Sequence, residues 1–406
     1  MNDAGWTVIG EDRIDEERRT AIRRALENAG LDALVVRLPE NVLLLSGFWP
    51  MNGASHVVAS ADGRVRCVVP DCYRSEAEAE LAGVRVAYYP HGRKDSPPPL
   101  NAVGELLATI PDSSAWDRVG WEASAEASAP AWNAGDSFFP GTPCRDLYGR
   151  VFSTASLVDA HEVLAGLKLH KTPREIARLE RASRLSTIGL AAFEEAVAPG
   201  LTGVELAAQV EYAVMSRGTG QDGARRVRAF AQVATGGEEG AIGFRPNEIS
   251  TTRTLRDGDL ALLELGVVVD GFWADRTRVR VAGTATETQR HAFDTVRRAQ
   301  EAAIERVAPG VPAGEVDRAA RDVIENAGLG ELFPHITGHG VGFSYHEGGP
   351  IIRPGNTDAL EAGMTHTIEP GVYSPDFAGG IRIEDDVLVT EDGARVLGAY
   401  RKELQG

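Results

Sequence analysis

Sulfur and lysine are scarce in this chain. Its three cysteines are Cys67, Cys72 and Cys144, an odd number without the spacing of a thiolate metal site. One Cys-x4-Cys pair could close, but three thiols in a reducing compartment is the preferred reading. Lysine occurs only at Lys94, Lys168, Lys171 and Lys402, so arginine carries nearly all the positive charge, which we read as coding bias. No apolar run reaches the roughly 18 residues of a membrane span, and none is expected. The stretch from Met1 to Arg18 lacks the apolar core of a secretion signal, which makes the cytoplasm the expected location. Positive charge is also in deficit. A net charge of −17 argues against a nucleic-acid partner, which would need a basic face.

What is present is ordinary for a globular protein: 406 residues, 43% hydrophobic and 25% charged, enough for two domains. The chain divides near residues 165–172, giving expected domains 1–168 and 169–406. In the first, Glu17 to Ala29 reads as a helix, Asp32 to Arg37 and Val65 to Val69 as strands, and Asp95-Ser-Pro-Pro-Pro-Leu as a loop. That alternation suggests a small α/β domain. The second contains an internal repeat, the feature to seek early. Val197-Ala-Pro-Gly-Leu-Thr-Gly-Val-Glu205-Leu recurs as Val307-Ala-Pro-Gly-Val-Pro-Ala-Gly-Glu315-Val, and Gly218 matches Gly328 at the same offset. Each copy follows an apolar-periodic helix. Two related halves of helices then strands, packed about a pseudo-twofold axis, would make a central cleft. Glu205 and Glu315 sit beside helix starts, where an acid suits the helix dipole.

Acids lie inside the apolar strands of both halves. Asp259-Leu-Ala-Leu-Leu-Glu264-Leu is one such strand, Val269-Asp270-Gly271 is a hairpin signal, and Phe272-Trp-Ala-Asp275 returns. A loop at Asp270-Gly271 sets Glu264 opposite Thr277, and a loop at Val269-Asp270 sets it opposite Asp275. Both registers put the two carboxylates on one face. Side by side and buried they would repel, unless a cation sits between them or one is protonated. The second half offers Met364-Thr-His-Thr-Ile-Glu369-Pro-Gly and a strand Ile381-Arg382-Ile-Glu384-Asp-Asp-Val-Leu-Val, with Arg382 sharing the face of Glu384. Between them lies Pro334-His335-Ile-Thr-Gly-His339-Gly-Val-Gly-Phe-Ser-Tyr-His346-Glu. Four carboxylates and an imidazole are hard, oxygen-rich donors that suit a pair of divalent ions, Mn²⁺, Co²⁺, Fe²⁺ or Zn²⁺, sharing a water acidic enough to serve as hydroxide.

From Lys171 onward the sequence resembles the pita-bread family of metallopeptidases and related amide hydrolases: aminopeptidase P, prolidase, methionine aminopeptidase and creatinase. The resemblance rests on Glu264 and Asp275 as the hairpin acid pair, His339 as the histidine ligand, Glu369 in Glu-Pro-Gly and Glu384 in Ile-Arg-Ile-Glu. His335 and His346 match the accessory histidines of the aminopeptidase P and prolidase branch, and Pro39-Glu-Asn-Val-Leu-Leu-Leu-Ser-Gly-Phe48 looks like that branch's N-terminal domain. The methionine aminopeptidase branch has no such domain. The resemblance implies an α/β (α+β) chain with a C-terminal pita-bread domain, two metal ions with Mn²⁺ first in line, and a homodimer. It implies that Glu369 shuttles a proton while His346 and His335 orient the substrate or stabilise the oxyanion. The expected substrate is a small peptide or small amide.

Two departures from the family pattern stand out. The first ligand is Glu264 where the family has Asp. The family's histidine ahead of the first metal strand is missing: the matching position is Asn247, or Phe244 in a slipped register, and no histidine lies between His170 and His291. Asn247 can hydrogen-bond a substrate carbonyl but cannot titrate, so it is assigned with Arg382 to substrate binding. Three readings follow: a Xaa-Pro dipeptidase or aminopeptidase; a creatinase-like hydrolase of a non-peptidic C–N bond; and an inactive module that holds peptide. Outside this cluster, His366 is expected to be a strand residue, Phe272-Trp273 core packing, and His56 and His91 surface histidines.

Overall fold

In a computed structural model, residues 5–50, 54–123, 141–241, 243 and 250–405 are described. The chain separates into two compact units, Met1–Lys168 and Leu169–Gly406. The first is built from β1 (Thr7–Ile9), α1 (Glu16–Ala29), β2 (Ala33–Val36), α2 (Pro39–Ser46), β3 (His56–Ser60), β4 (Val65–Pro70), α3 (Arg74–Glu80), β5 (Val84–Tyr89), α4 (Pro99–Leu107), β6 (Arg118–Trp121), α5 (Gly141–Val151), β7 (Ser156–Asp159) and α6 (His161–Leu169). Its seven strands form one sheet in the order β1-β5-β4-β3-β2-β6-β7. The proline-rich loop ends at Pro98, because Pro99 takes the first position of α4, where its missing N–H is harmless. His56 is not a surface residue. It lies on central strand β3 and is almost completely buried. All three cysteines are free, and no described helix is long and apolar enough to cross a membrane.

The second unit opens with α7 (Pro173–Ala196), α8 (Gly203–Gly218), β8 (Val227–Thr235), the short α9 (Gly236–Gly240), β9 (Leu260–Val269) and β10 (Phe272–Val281). It continues with α10 (Glu287–Arg306), α11 (Ala313–Asn326), β11 (Gly338–Gly340), β12 (Glu347–Ile352), β13 (Thr365–Ile368), β14 (Gly371–Ser374), β15 (Gly379–Arg382), β16 (Asp385–Val389) and β17 (Ala394–Val396). Strands β10-β9-β8 make one sheet, β12-β11-β13-β16-β17 a second, and β14-β15 a small third. Capping boxes start three of the long helices, at Thr172/Glu175, Thr202/Glu205 and Thr286/Gln289. The fourth, α11, begins at Pro312 without a side-chain cap. The repeat is visible in three dimensions. Thr202 and its counterpart Pro312 each make an isolated bridge, to Thr254 and to Ala359. One apolar core gathers around α7, α8 and the β8–β10 sheet, another around α10, α11 and the larger sheet.

The turn chemistry decides the hairpin register. Asp270 and Gly271 take φ of 47° and 91°, the left-handed pair of a type I′ turn. Glu264 therefore lies opposite Thr277, and Asp275 opposite Gly266. The strand expected across Ile381–Val389 is in fact two strands in different sheets, β15 and β16. The break falls at Ile383 and Glu384, where the Glu384 N–H donates to the Thr277 carbonyl at 3.2 Å and Glu384 bridges Thr277 alone. At that stitch the second half of the unit meets β10 of the first.

Candidate metal centre

Strand alternation points Glu264, Asp275 and Thr277 to one face of the β9–β10 hairpin. His339 is the middle residue of β11, Glu369 follows the last residue of β13, and Glu384 occupies the stitch. These elements converge. Donor atoms of Glu264, Asp275 and Glu384 lie within 4.8 Å of one another, as do those of His339, Glu369 and Glu384, and those of Asp275, His339 and His346. His339 Nε2 stands 3.5 Å from Asp275 Oδ2 and 3.4 Å from Glu369 Oε1. Its Nδ1 donates to the Gly340 carbonyl at 3.0 Å, which leaves the lone pair of Nε2 facing the acids.

The electrostatics are those of a charge-crowded, dry pocket. Burial pushes the Asp275 carboxyl well above the usual range, and Glu264, Glu369 and Asp386 push it further. Burial raises Glu384 well above its usual range too, reinforced by Asp275, and it raises Glu369. Burial also opposes the charge on Glu264, yet Arg382, the Tyr345 hydroxyl and the nearby His346 hold that carboxyl below its ordinary value. Among the described residues neither oxygen of Asp275 has a hydrogen-bond partner, though both are buried, and the nearby Tyr345 hydroxyl only partly eases the charge. A carboxylate left bare among other acids is what a cation site requires, and the four acids with one imidazole are the donor set of a hard or borderline divalent ion. The residues fit such ions.

The other expected site residues fall in different places. His346 stacks on His339 with ring centroids 4.1 Å apart, and its buried Nδ1 has no partner among the described residues. Burial, then His339, lowers its pKa to about 3. His335 donates from Nδ1 to the Ile336 carbonyl at 2.7 Å, and its Nε2 accepts from the Tyr373 hydroxyl at 2.9 Å. Burial, then Arg382, lowers it to about 3 as well. Arg382 donates from Nε to Thr277 Oγ1 at 3.0 Å, from Nη1 to the Tyr373 hydroxyl at 2.9 Å, and from Nη2 to Glu264. Arg382 thus turns most of its donors on the protein around Glu264. His335 likewise reaches the acids through Tyr373 and Arg382. Asn247 and Phe244 lie outside the described residues. His366 is a buried strand residue, as expected, with its pKa lowered to about 4 by burial.

The sequence model of metallopeptidase family M24 matches residues 177–391, and that of the creatinase/prolidase N-terminal domain matches residues 18–132. The chain belongs to metallopeptidase family M24. Its C-terminal unit is a pita-bread domain. Among its relatives, the chain is 40% identical over 250 residues to YkvY of Bacillus subtilis (strain 168), whose name as a dipeptidase is provisional; the match covers 62% of this chain and 66% of that one. It is 36% identical over 256 residues to a Xaa-Pro dipeptidase of Lactobacillus helveticus, covering 63% and 67%. The matched stretch thus spans about two thirds of each of these relatives' length. In three dimensions it resembles the prolidase from Pyrococcus horikoshii OT3, with a TM-score of 0.74 and 26% identity over 96% of this chain and 99% of that one.

Three residues of this M24 chain escaped sequence reasoning. Thr277 donates to Glu384 Oε2 at 2.6 Å and lies 3.4 Å from Glu264 Oε2; one of the two hairpin registers sets it opposite Glu264, without a role. Tyr373 links His335 to Arg382. The Tyr345 hydroxyl donates to Glu264 Oε1 at 2.5 Å, and no motif signals it. Behind the site, on the opposite face of β10, Arg276 and Arg278 each bind Asp385 Oδ1 at 2.7 Å. They also donate to carbonyls of Leu397, Gly398, Tyr400 and Arg401. Asp386 accepts from the Asp275 N–H at 3.1 Å and from Ser183 at 2.6 Å, fixing the backbone of the bare acid.

Proposed function

We propose that this chain is a Xaa-Pro dipeptidase or aminopeptidase acting on small peptides, and that Glu264, Asp275, His339, Glu369 and Glu384 hold two divalent cations. Mn²⁺ is the first choice, with Co²⁺, Zn²⁺ and Fe²⁺ as alternatives. The observation that carries this reading is the bare, buried carboxylate of Asp275, faced by donors from both halves of the repeat. When bound, such ions supply Lewis acidity and a water of lowered pKa. Glu369, half-buried with a raised pKa, is suited to hold a proton and deliver it to the leaving amine. His346, kept neutral by burial, orients the scissile carbonyl. His335 steadies Arg382 through Tyr373, and Arg382 restrains Glu264. Asn247 is assigned to the substrate.

Residues 1–168 are proposed to limit substrate length and to build a homodimer, with residues 169–406 as the catalytic domain, in a cytoplasmic protein without nucleic-acid or membrane partners. The test is a panel of Xaa-Pro dipeptides and longer Xaa-Pro peptides with Mn²⁺ or Co²⁺. Proline or N-terminal residue release that vanishes with chelator is expected, and no metal-dependent turnover on any member would sink the proposal. A second reading, hydrolysis of a non-peptidic C–N bond as in creatinase, draws on one feature: both oxygens of Glu264 are engaged by Tyr345 and Arg382. Full activity from metal-free protein would favour it.

A further inference from the structure

The two acids of the hairpin are treated differently by their surroundings. Asp275 has two short rotors and is buried with both oxygens bare. Glu264 has a third rotor, so fixing its carboxylate loses more side-chain freedom. Donors bracket it on both sides. Arg382 Nη2 and, at 3.4 Å, Thr277 Oγ1 approach Oε2, while among the described residues Tyr345 is the donor to Oε1. The phenol is itself buried; Glu264 Oε1 is its hydrogen-bond acceptor, and the same hydroxyl eases the charge of neighbouring Asp275.

The ring has a built place. Tyr345 lies over Gly266, the residue paired across the hairpin with Asp275, and a Cβ at Gly266 would come within 2.8 Å of the ring's Cε2. A glycine inside a strand weakens it and marks a close approach, and the group that approaches is this phenol. Phe230 of β8 meets the ring edge to face at 6.5 Å, Trp273 of β10 lies 5.5 Å away, and His346 stands perpendicular at 4.7 Å. Three strands and the loop of His346 thus hold a hydroxyl among Glu264, Asp275 and Glu384.

We propose that Tyr345 is a positioning residue of the metal centre, setting the Glu264 carboxylate for the cation shared by Glu264, Asp275 and Glu384. This rests on the metal reading of the site. Partners of this kind, one bond removed from a metal, typically change affinity about 10–100-fold when lost. The experiment is titration of Mn²⁺ into metal-stripped full-length protein, following the electron paramagnetic resonance signal of the free ion. Wild type should take up two ions. Y345F should bind one of them about 10–100-fold more weakly and leave the other unchanged, with its melting temperature measured alongside. In E264D, whose shorter arm withdraws the carboxylate from the hydroxyl, adding Y345F should change nothing further. Unchanged binding by Y345F, or an equal loss in the E264D background, overturns the assignment while leaving the metal reading intact. A wild-type protein that takes up no Mn²⁺ overturns both.

Discussion

Lys171 and Glu347 meet at 2.6 Å with almost no exposure to water. The other oxygen of Glu347 accepts the Phe343 N–H at 2.7 Å, so the pair anchors the loop that ends in His346. Removing one partner of a buried pair strands the other charge, at about 3–5 kcal/mol. K171M should therefore lower unfolding free energy by that order in urea titrations, and K171M/E347Q should recover much of it; equal stability of both variants would contradict the burial argument. At the reacting end, E369Q should lower kcat on a Xaa-Pro dipeptide by about 10²–10⁴-fold. A stopped assay with Mn²⁺ restored would read it, and a kcat near wild type would remove Glu369 from proton transfer. The acids of the strands were legible because each breaks an apolar pattern, and His339 because its glycine-flanked motif resembles the family's. Tyr345 and Tyr373 were not. An aromatic residue beside a histidine is compatible with plain core packing, and only the fold reveals which hydroxyl meets which carboxylate.

Among the elements, the ends of β3 and β6 hold two buried groups, His56, expected at the surface, and Glu122, which no motif marked. Burial, then Arg37, lowers His56 to about 3. Glu122 accepts from the N–H groups of Arg37 and Leu38 at 2.5 and 2.8 Å and from Asn41 at 2.7 Å, yet burial outweighs these bonds and raises it to about 7. Between roughly pH 4.5 and 6.5 the folded unit carries one proton, on Glu122, and the unfolded chain carries one as well, on His56. Their contributions to the pH slope cancel. Each single variant should uncover the other group. H56Q leaves Glu122, whose raised pKa makes stability fall as pH rises from about 4.5 to 7. E122Q leaves His56, whose depressed pKa makes stability fall as pH drops from about 6.5 to 3. Each slope is about 1.4 kcal/mol per pH unit, readable by amide exchange in β3, and flat profiles in both variants would refute the pairing. The misplacement of His56 has a plain cause: one histidine at a strand start carries no sign of its burial. The break between β15 and β16 was hidden too, because Ile-Arg-Ile-Glu alternates as one strand would. The Asp270-Gly271 turn, by contrast, offered the correct register among its two options.

For the whole molecule, the repeat is what the sequence disclosed best, because a duplicated helix stop is a local pattern that survives folding. What it could not disclose is how the halves join, since the contact of Thr277 with Glu384 depends on three-dimensional packing alone. Four crowded acids make the stability of the second unit depend on cations. Stripping with chelator should lower Tm, and returning Mn²⁺ at a hundredfold excess over Kd should restore about 3 kcal/mol per site, or roughly 5–10 °C by calorimetry. A Tm indifferent to both treatments would mean that protons, not metals, keep the acids apart.

The arginines on the rear of β10 set a clock as well as a structure. Arg276 reaches carbonyls 121 and 122 residues further along the chain. At about 5–20 residues per second, a ribosome delivers those partners roughly 6–24 seconds after the strand itself. Until then Arg276 and Arg278 lack Asp385 and the carbonyls of residues 397, 398, 400 and 401. The strand that carries Asp275 must wait for Asp385 and residues 397–401, so a product stalled before residue 397 would display its acids on a hairpin that cannot yet close over them.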